Sequence, residues 1–146
     1  REFSLIMATI RLINSGVFDR HPSLIVQMSH LSGGIASMLG RVRSYQDKVF
    51  WGTKGNARHG ALPEKDLDYY INNNLLFDSG GFCGMIESVH TALVELSPTR
   101  LLFGTDYPQE IRTAGVTKTF IDGIRALPQG KLILEDNARA LLKGRV

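Results

Sequence analysis

Phe3, Ile6, Ile10, Ile13 and Val17 follow one another at alternating spacings of three and four. That is the apolar stripe of an amphipathic helix, and Gly16 is placed to stop it. The next apolar run, Leu24 to Met28, is nearly continuous rather than alternating, which predicts a strand covered on both faces, as parallel strands are. After a "SGG" turn, Ile35, Met38, Leu39, Val42 and Tyr45 restore the helical spacing, whereas residues 46 to 63 have no period and read as a long loop. From Pro63 the order repeats. A helix carries Leu67, Tyr70 and Ile71, a strand runs from Leu75 to Phe77, "DSGGFCG" turns the chain, and Ile86, Val89, Leu93 and Leu96 mark the next helix. A third round supplies the strand "RLLFG", the turn "TDYPQE" and a helix on Val116, Phe120, Ile124 and Leu127. In the tail, Leu132 to Leu134 fit a strand, but "EDNARALLK" fits a helix capped by Asp136 or Asn137.

Strands alternating with helices predict an α/β chain of βα units on a parallel sheet. Each helix must pack back on the sheet, so the strand-to-helix turns all leave the carboxyl end of the strands, where ligands bind in such folds. All three turns here are polar: "SHLSGG", "DSGGFCG" and "GTDYPQE" converge on one site. A three-stranded parallel sheet also leaves two edges unprotected, which favours association. The chain reads as an incomplete fold, and its start at Arg1 rather than Met fits a piece of something longer.

Composition narrows the picture. With 146 residues, 43% hydrophobic and 21% charged, residues 1 to 146 form one domain around one core. The apolar runs are far too short to span a membrane and no signal peptide opens the chain, so the expected setting is cytoplasmic, without a membrane partner. Cys83 is the only cysteine, which excludes an intrachain disulfide and a cysteine-built metal site. A net charge of +3 admits an anionic substrate. Arg41, Arg43, Lys48, Lys54 and Arg58 interleave with Tyr45, Phe50 and Trp51, but no nucleic-acid-binding module surrounds them. A loop facing substrate or a dimer partner is the simpler reading, with no nucleic acid.

The ordered set "SGVFDRHPSLIVQMSHLSGG", "LGR", "NNNLLFDSGG", "LLFGTDYPQ" and "DNARALL" resembles the last three βα units of the amidohydrolase-2 family. The resemblance implies the C-terminal part of a TIM-type (β/α)8 barrel of metal-dependent hydrolases and decarboxylases. It implies that His30 handles the proton of a metal-bound water and that Asp106 ligates the metal and shares in proton transfer. It implies that Arg41 reaches across a homodimer interface to a substrate carboxylate. Zinc is the expected divalent metal, with manganese or another ion as alternatives. The family's first-strand "HxH" or "ExH" pair and its mid-barrel histidine have no counterpart here. His21-Pro22 precedes its strand and is read as a surface or capping element.

The residue chemistry agrees. A carboxylate at a strand end offers a hard oxygen to a divalent ion, an imidazole titrates in the range that moves a water proton, and a guanidinium grips a carboxylate at two points. Each has a plainer alternative: Asp106 as a helix cap, His30 as a core histidine bonded to its turn, Arg41 as a surface cation. Ser79 and Phe82 are candidates to touch substrate, with Gly80 and Gly81 letting the chain turn tightly. "DSGGFCG" lacks the known phosphate-loop patterns. His59 and His90 read as ordinary, and Cys83 as a small packing residue. The expected activity is metal-assisted hydrolysis or non-oxidative decarboxylation of a small carboxylated, aromatic or unsaturated substrate. The alternative is a metal-free, inactive fragment or assembly module. A flavodoxin-like domain would require five parallel strands.

Overall fold

A computed structural model describes residues 1–46 and 63–143. Most of the expected long loop, with Lys48, Phe50, Trp51, Lys54, Arg58 and His59, therefore lies outside the described residues.

Helix α1 (Glu2–Asn14) and the short α2 (Val17–Arg20) lead into strand β1 (Val26–Met28). A left-handed turn and a 3-10 turn (Ile35–Met38) follow, then α3 (Leu39–Gln46). The second round is α4 (Leu67–Asn73), β2 (Leu75–Asp78) and α5 (Ile86–Glu95). The third is β3 (Leu101–Leu102) and α6 (Ala114–Arg125), before α7 (Asn137–Lys143) closes the described chain. Among the described residues the sheet is three-stranded, parallel throughout and ordered β1-β2-β3.

The register pairs Met28 with Phe77 and Phe77 with Leu101. Those three side chains, with Leu75, point into the core shared with Ile13, Phe18, Leu31, Ile35, Val89, Phe120 and Ile124. By alternation, Gln27, Leu76, Asp78 and Leu102 share the opposite face. The first polar residue on that face after the apolar run of β2 is Asp78, at the carboxyl end.

Two expectations are corrected, at the first strand and at Phe3, and the tail, left open between strand and helix, is helical. The first strand begins only at Val26, and Leu24 and Ile25 stay 37% and 41% exposed, because a turn from His21 to Leu24 precedes it. Phe3 is 85% exposed and takes no part in the stripe of α1. Leu132–Asp136 is a π-helical turn, not a strand: a lone N–H from Phe103 reaches Ile133, and Ile133 is wholly buried. Burial of one helical face there outweighs the local β preference.

Side chains tie the units together. Asn74 donates to the Pro22 and Leu24 carbonyls at 3.0 and 2.9 Å, fixing the approach to β1. Asn137, read from sequence as a cap, is instead buried and donates to the Pro98 and Leu101 carbonyls at 2.8 and 2.7 Å. The Tyr70 hydroxyl donates to Asp19 and accepts the Lys65 N–H at 2.8 Å, joining α2 to the start of α4. Burial, then the bond to Asp19, pushes the Tyr70 phenol up to about 12. Arg43 bridges Asp68 and Glu95 at 2.8 and 2.7 Å, so this cation of the basic segment bolts α3 to α4 and α5. No helix among the described residues is long and apolar enough to cross a membrane.

Candidate functional site

The site is assembled from the three strand ends. Past β1 the chain enters a left-handed turn, His30–Gly34, with φ of 56°, 49° and 53° at His30, Leu31 and Ser32 before two glycines. Each non-glycine residue there costs about 1–2 kcal/mol, so the turn must be held by its neighbours. It is held from three sides. The His30 N–H donates to Asp78 at 3.1 Å, Leu31 is buried in the core, and the Ser32 hydroxyl lies 2.5 Å from that of Thr9 on α1. Helix α1 comes so near that a Cβ on Gly33 would fall 2.2 Å from the Glu2 carbonyl oxygen. This packing carries Glu2 to the His30 ring.

Past β2, Asp78 accepts the Gly80 N–H at 2.9 Å as well as that of His30, and its second oxygen accepts from Gln27 at 2.9 Å. Gly81, at φ +80°, is the floor of the imidazole: a Cβ there would fall 2.2 Å from His30 Cγ and 2.4 Å from Nδ1. Ser79 is buried, and its hydroxyl bridges both the N–H and the carbonyl of Gly104 at 3.1 and 3.2 Å.

Past β3, Asp106 also has a left-handed backbone, at φ 52°. Its carbonyl, rather than its carboxylate, accepts the N–H groups of Gln109 and Glu110 that open the next turn. The carboxylate is thereby free to face His30. Asp106 Oδ2 lies 3.5 Å from His30 Nε2, and this oxygen and His30 Nδ1 are both buried without a hydrogen-bond partner. Glu2 Oε1 stands 3.7 Å from Nδ1, and Arg1 stands 3.9 Å from Asp106 and 2.7 Å from Glu110. Cys83 is exposed, not packed, and donates to Glu110 at 2.9 Å. That bond, then Arg1, holds the Glu110 carboxyl below its ordinary range, and the same bond pushes the Cys83 thiol up, away from thiolate.

Of the residues singled out from sequence, the fold brings His30 and Asp106 together from the two outer strands. Phe82 is half-buried against the core, its ring 3.8 Å from where a Cβ on Gly34 would sit. Ser79 joins the ends of β2 and β3. Arg41 is exposed on α3, and the ion pairs of Asp106 among the described residues are with Arg1 and His30. His21 and His90 are exposed, and the Pro22 carbonyl serves Asn74. Sequence reasoning missed Asp78, Glu2 and Glu110. For Asp78 a signal existed: "FDSGG" ends its strand in a carboxylate just as "FGTDYP" does a few residues past its own.

Glu2 and Asp106 face the two ring nitrogens of His30 from α1 and from the end of β3, with Arg1 between Asp106 and Glu110. Asp106 fits one ligand position of a divalent cation: its Oδ2 is a hard, buried oxygen with nothing bonded to it. No group of three His, Cys, Asp or Glu side chains among the described residues could hold a metal ion.

Parallel strands connected through helices, with a polar site at the carboxyl ends, define a run of parallel α/β units. No family profile matches the chain. It is 32% identical over 101 residues to a gamma-resorcylate decarboxylase of Rhodococcus jostii (strain RHA1), a match covering 69% of this chain and 29% of the relative. The chain thus spans under a third of the curated relatives it matches. Among solved structures, it superposes on 5-carboxyvanillate decarboxylase of Novosphingobium aromaticivorans, complexed with manganese and 4-hydroxy-3-methoxy-5-nitrobenzoic acid, with TM-score 0.76 and 20% identity, covering 94% of this chain and 38% of that one. The dihydroxybenzoic acid decarboxylase of Polaromonas sp. JS666, with bound manganese and the inhibitor 2-nitroresorcinol, gives TM-score 0.73 and 23% identity over 97% of this chain and 40% of that one. These relatives are decarboxylases by name, and the fold is that of a stretch of the decarboxylase structures on which the chain superposes.

Proposed function

We propose that this chain supplies the carboxyl-terminal part of the active site of a divalent-metal-dependent, non-oxidative decarboxylase acting on a small aromatic carboxylate. The observation that carries the reading is the His30–Asp106 pair, 3.5 Å apart at the ends of the outer strands, each with a buried polar atom left unpartnered. Its decarboxylase relatives and manganese-bound structural neighbours support it. Asp106 offers one oxygen to the cation, and the remaining ligands come from residues beyond those described. When bound, the cation supplies a Lewis acid and a fixed positive charge for substrate oxygens. The chain's own residues move the proton. His30 Nε2, with the Asp106 carboxylate beside it, holds the proton and delivers it to the ring carbon bearing the carboxylate. The carbon–carbon bond then breaks, its electrons return to the ring and CO2 leaves. Arg41, across a homodimer interface, grips a substrate carboxylate, and Phe82 borders the mouth.

The test uses the complete protein that carries this chain, loaded with Mn²⁺ or, separately, Zn²⁺, and offered gamma-resorcylate and 5-carboxyvanillate. CO2 release is expected, and His30→Asn or Asp106→Asn lowers kcat by roughly 100-fold or more. Arg41→Ala raises KM by about tenfold or more while kcat moves little. Hydrolysis of an amide or ester with no CO2 from any aromatic acid would overturn the decarboxylase reading. The 146-residue chain alone lacks a three-ligand group among its described residues, which favours a metal-free, inactive state for the isolated piece. Stoichiometric tightly held metal in that piece would sink this second reading.

A further inference from the structure

Asp78 accepts three hydrogen bonds at the carboxyl end of the sheet, and the proposed reaction gives it no role. It lies on the same face as Gln27, at the end of the central strand, between the strands that carry His30 and Asp106. One oxygen accepts two backbone N–H groups from different loops, His30 at 3.1 Å and Gly80 at 2.9 Å, and the other accepts from the Gln27 amide at 2.9 Å. Those bonds fall where the backbone is under most strain. His30 opens three consecutive non-glycine residues in the left-handed region, and Gly80 precedes the glycine on which the imidazole rests. An anionic acceptor bonded to backbone N–H groups is about twice as strong as a neutral one, enough to offset the cost of one left-handed residue.

We propose that Asp78 is a positioning residue: by clamping the His30 and Gly80 N–H groups together it holds the left-handed turn and the glycine floor in register, and so aims the imidazole at Asp106. This rests on His30 acting as the proton-handling group for its functional meaning, but not for its structural test. Without the clamp, the turn relaxes toward right-handed backbone and the ring swings off Asp106. An asparagine keeps one acceptor oxygen for the two N–H groups, and the Gln27 amide can turn to accept from the new NH2.

The experiment compares Asp78→Ala, Asp78→Asn and a control, Asn74→Ala, in the complete protein. The control loses two buried bonds at the amino end of the same strand. Amide hydrogen exchange at His30 and Gly80 and the imidazole resonances of His30 are read beside kcat and KM. Asp78→Ala is expected to speed exchange at both amides by about tenfold beyond any global change, to shift the ring resonances, and to lower kcat about tenfold or more with KM nearly unchanged. Asp78→Asn recovers most of each effect. The control lowers Tm while leaving local exchange, ring resonances and kcat near wild type. If Asp78→Ala affects exchange only as the control does, the positioning role is overturned. Because exchange and resonance need no turnover, these local changes in Asp78→Ala together with a wild-type protein that releases no CO2 would sink the decarboxylase reading alone.

Discussion

At the scale of single residues, the site depends on where a Cβ can be tolerated. Gly81 combines φ of +80° with a Cβ position only 2.2 Å from His30 Cγ. Gly81→Ala is therefore expected to destabilise by about 2–4 kcal/mol, from overpacking and left-handed strain together, and to lower turnover by displacing the imidazole. Gly115 on α6 has open space around its Cβ position, so Gly115→Ala is expected to stabilise by roughly 0.5 kcal/mol. Urea denaturation of the two variants checks both signs. The chemistry of these positions was partly legible in the sequence: a carboxylate and an imidazole just past apolar strands are conspicuous. Asp78, a carboxylate at the end of its own strand, was equally visible, but its sequence does not say that it gathers N–H groups from two loops.

At the scale of elements, the units are joined by polar side chains buried between them. Tyr70 is neutral in the fold with its phenol raised to about 12 from a usual value near 10. Between those values the unfolded chain has released the proton and the folded chain has not. Stability is thus complete below pH 10 and falls as pH rises toward 12. Tyr70→Phe is expected to remove this alkaline decline and, by stranding Asp19 and the Lys65 N–H, to cost about 1–2 kcal/mol at neutral pH. Chemical denaturation at pH 7 and at stepped alkaline pH reads both effects. Asn137→Ala, which uncouples α7 from the entry to β3, is expected to cost about 2–3 kcal/mol by the same measurement at pH 7. Helical stripes and apolar strands showed where most elements lie. They left Leu132–Asp136 open, where β-favouring residues bury one face of a π-helical turn, and failed at Leu24 and Ile25, where a turn at His21 delays pairing.

At the scale of the whole molecule, β1 and β3 each present one edge unpaired among the described residues, and Leu24, Ile25 and Phe3 add exposed apolar surface. The isolated 146-residue chain is expected to associate in solution, with apparent mass rising with concentration in light scattering. A concentration-independent monomer would contradict this. The sequence by itself determined the alternation of strands and helices, because periodicity and burial are written in the order of apolar residues. It also determined that the polar turns share one end of the sheet, because every βα unit turns the same way. Only the tertiary structure decided that Asp106 keeps its carboxylate for His30 while its carbonyl takes the cap, that Glu2 comes to the imidazole, and that Asp78 clamps two loops. Those outcomes depend on left-handed backbone and close packing between segments far apart in the chain, which no local pattern encodes.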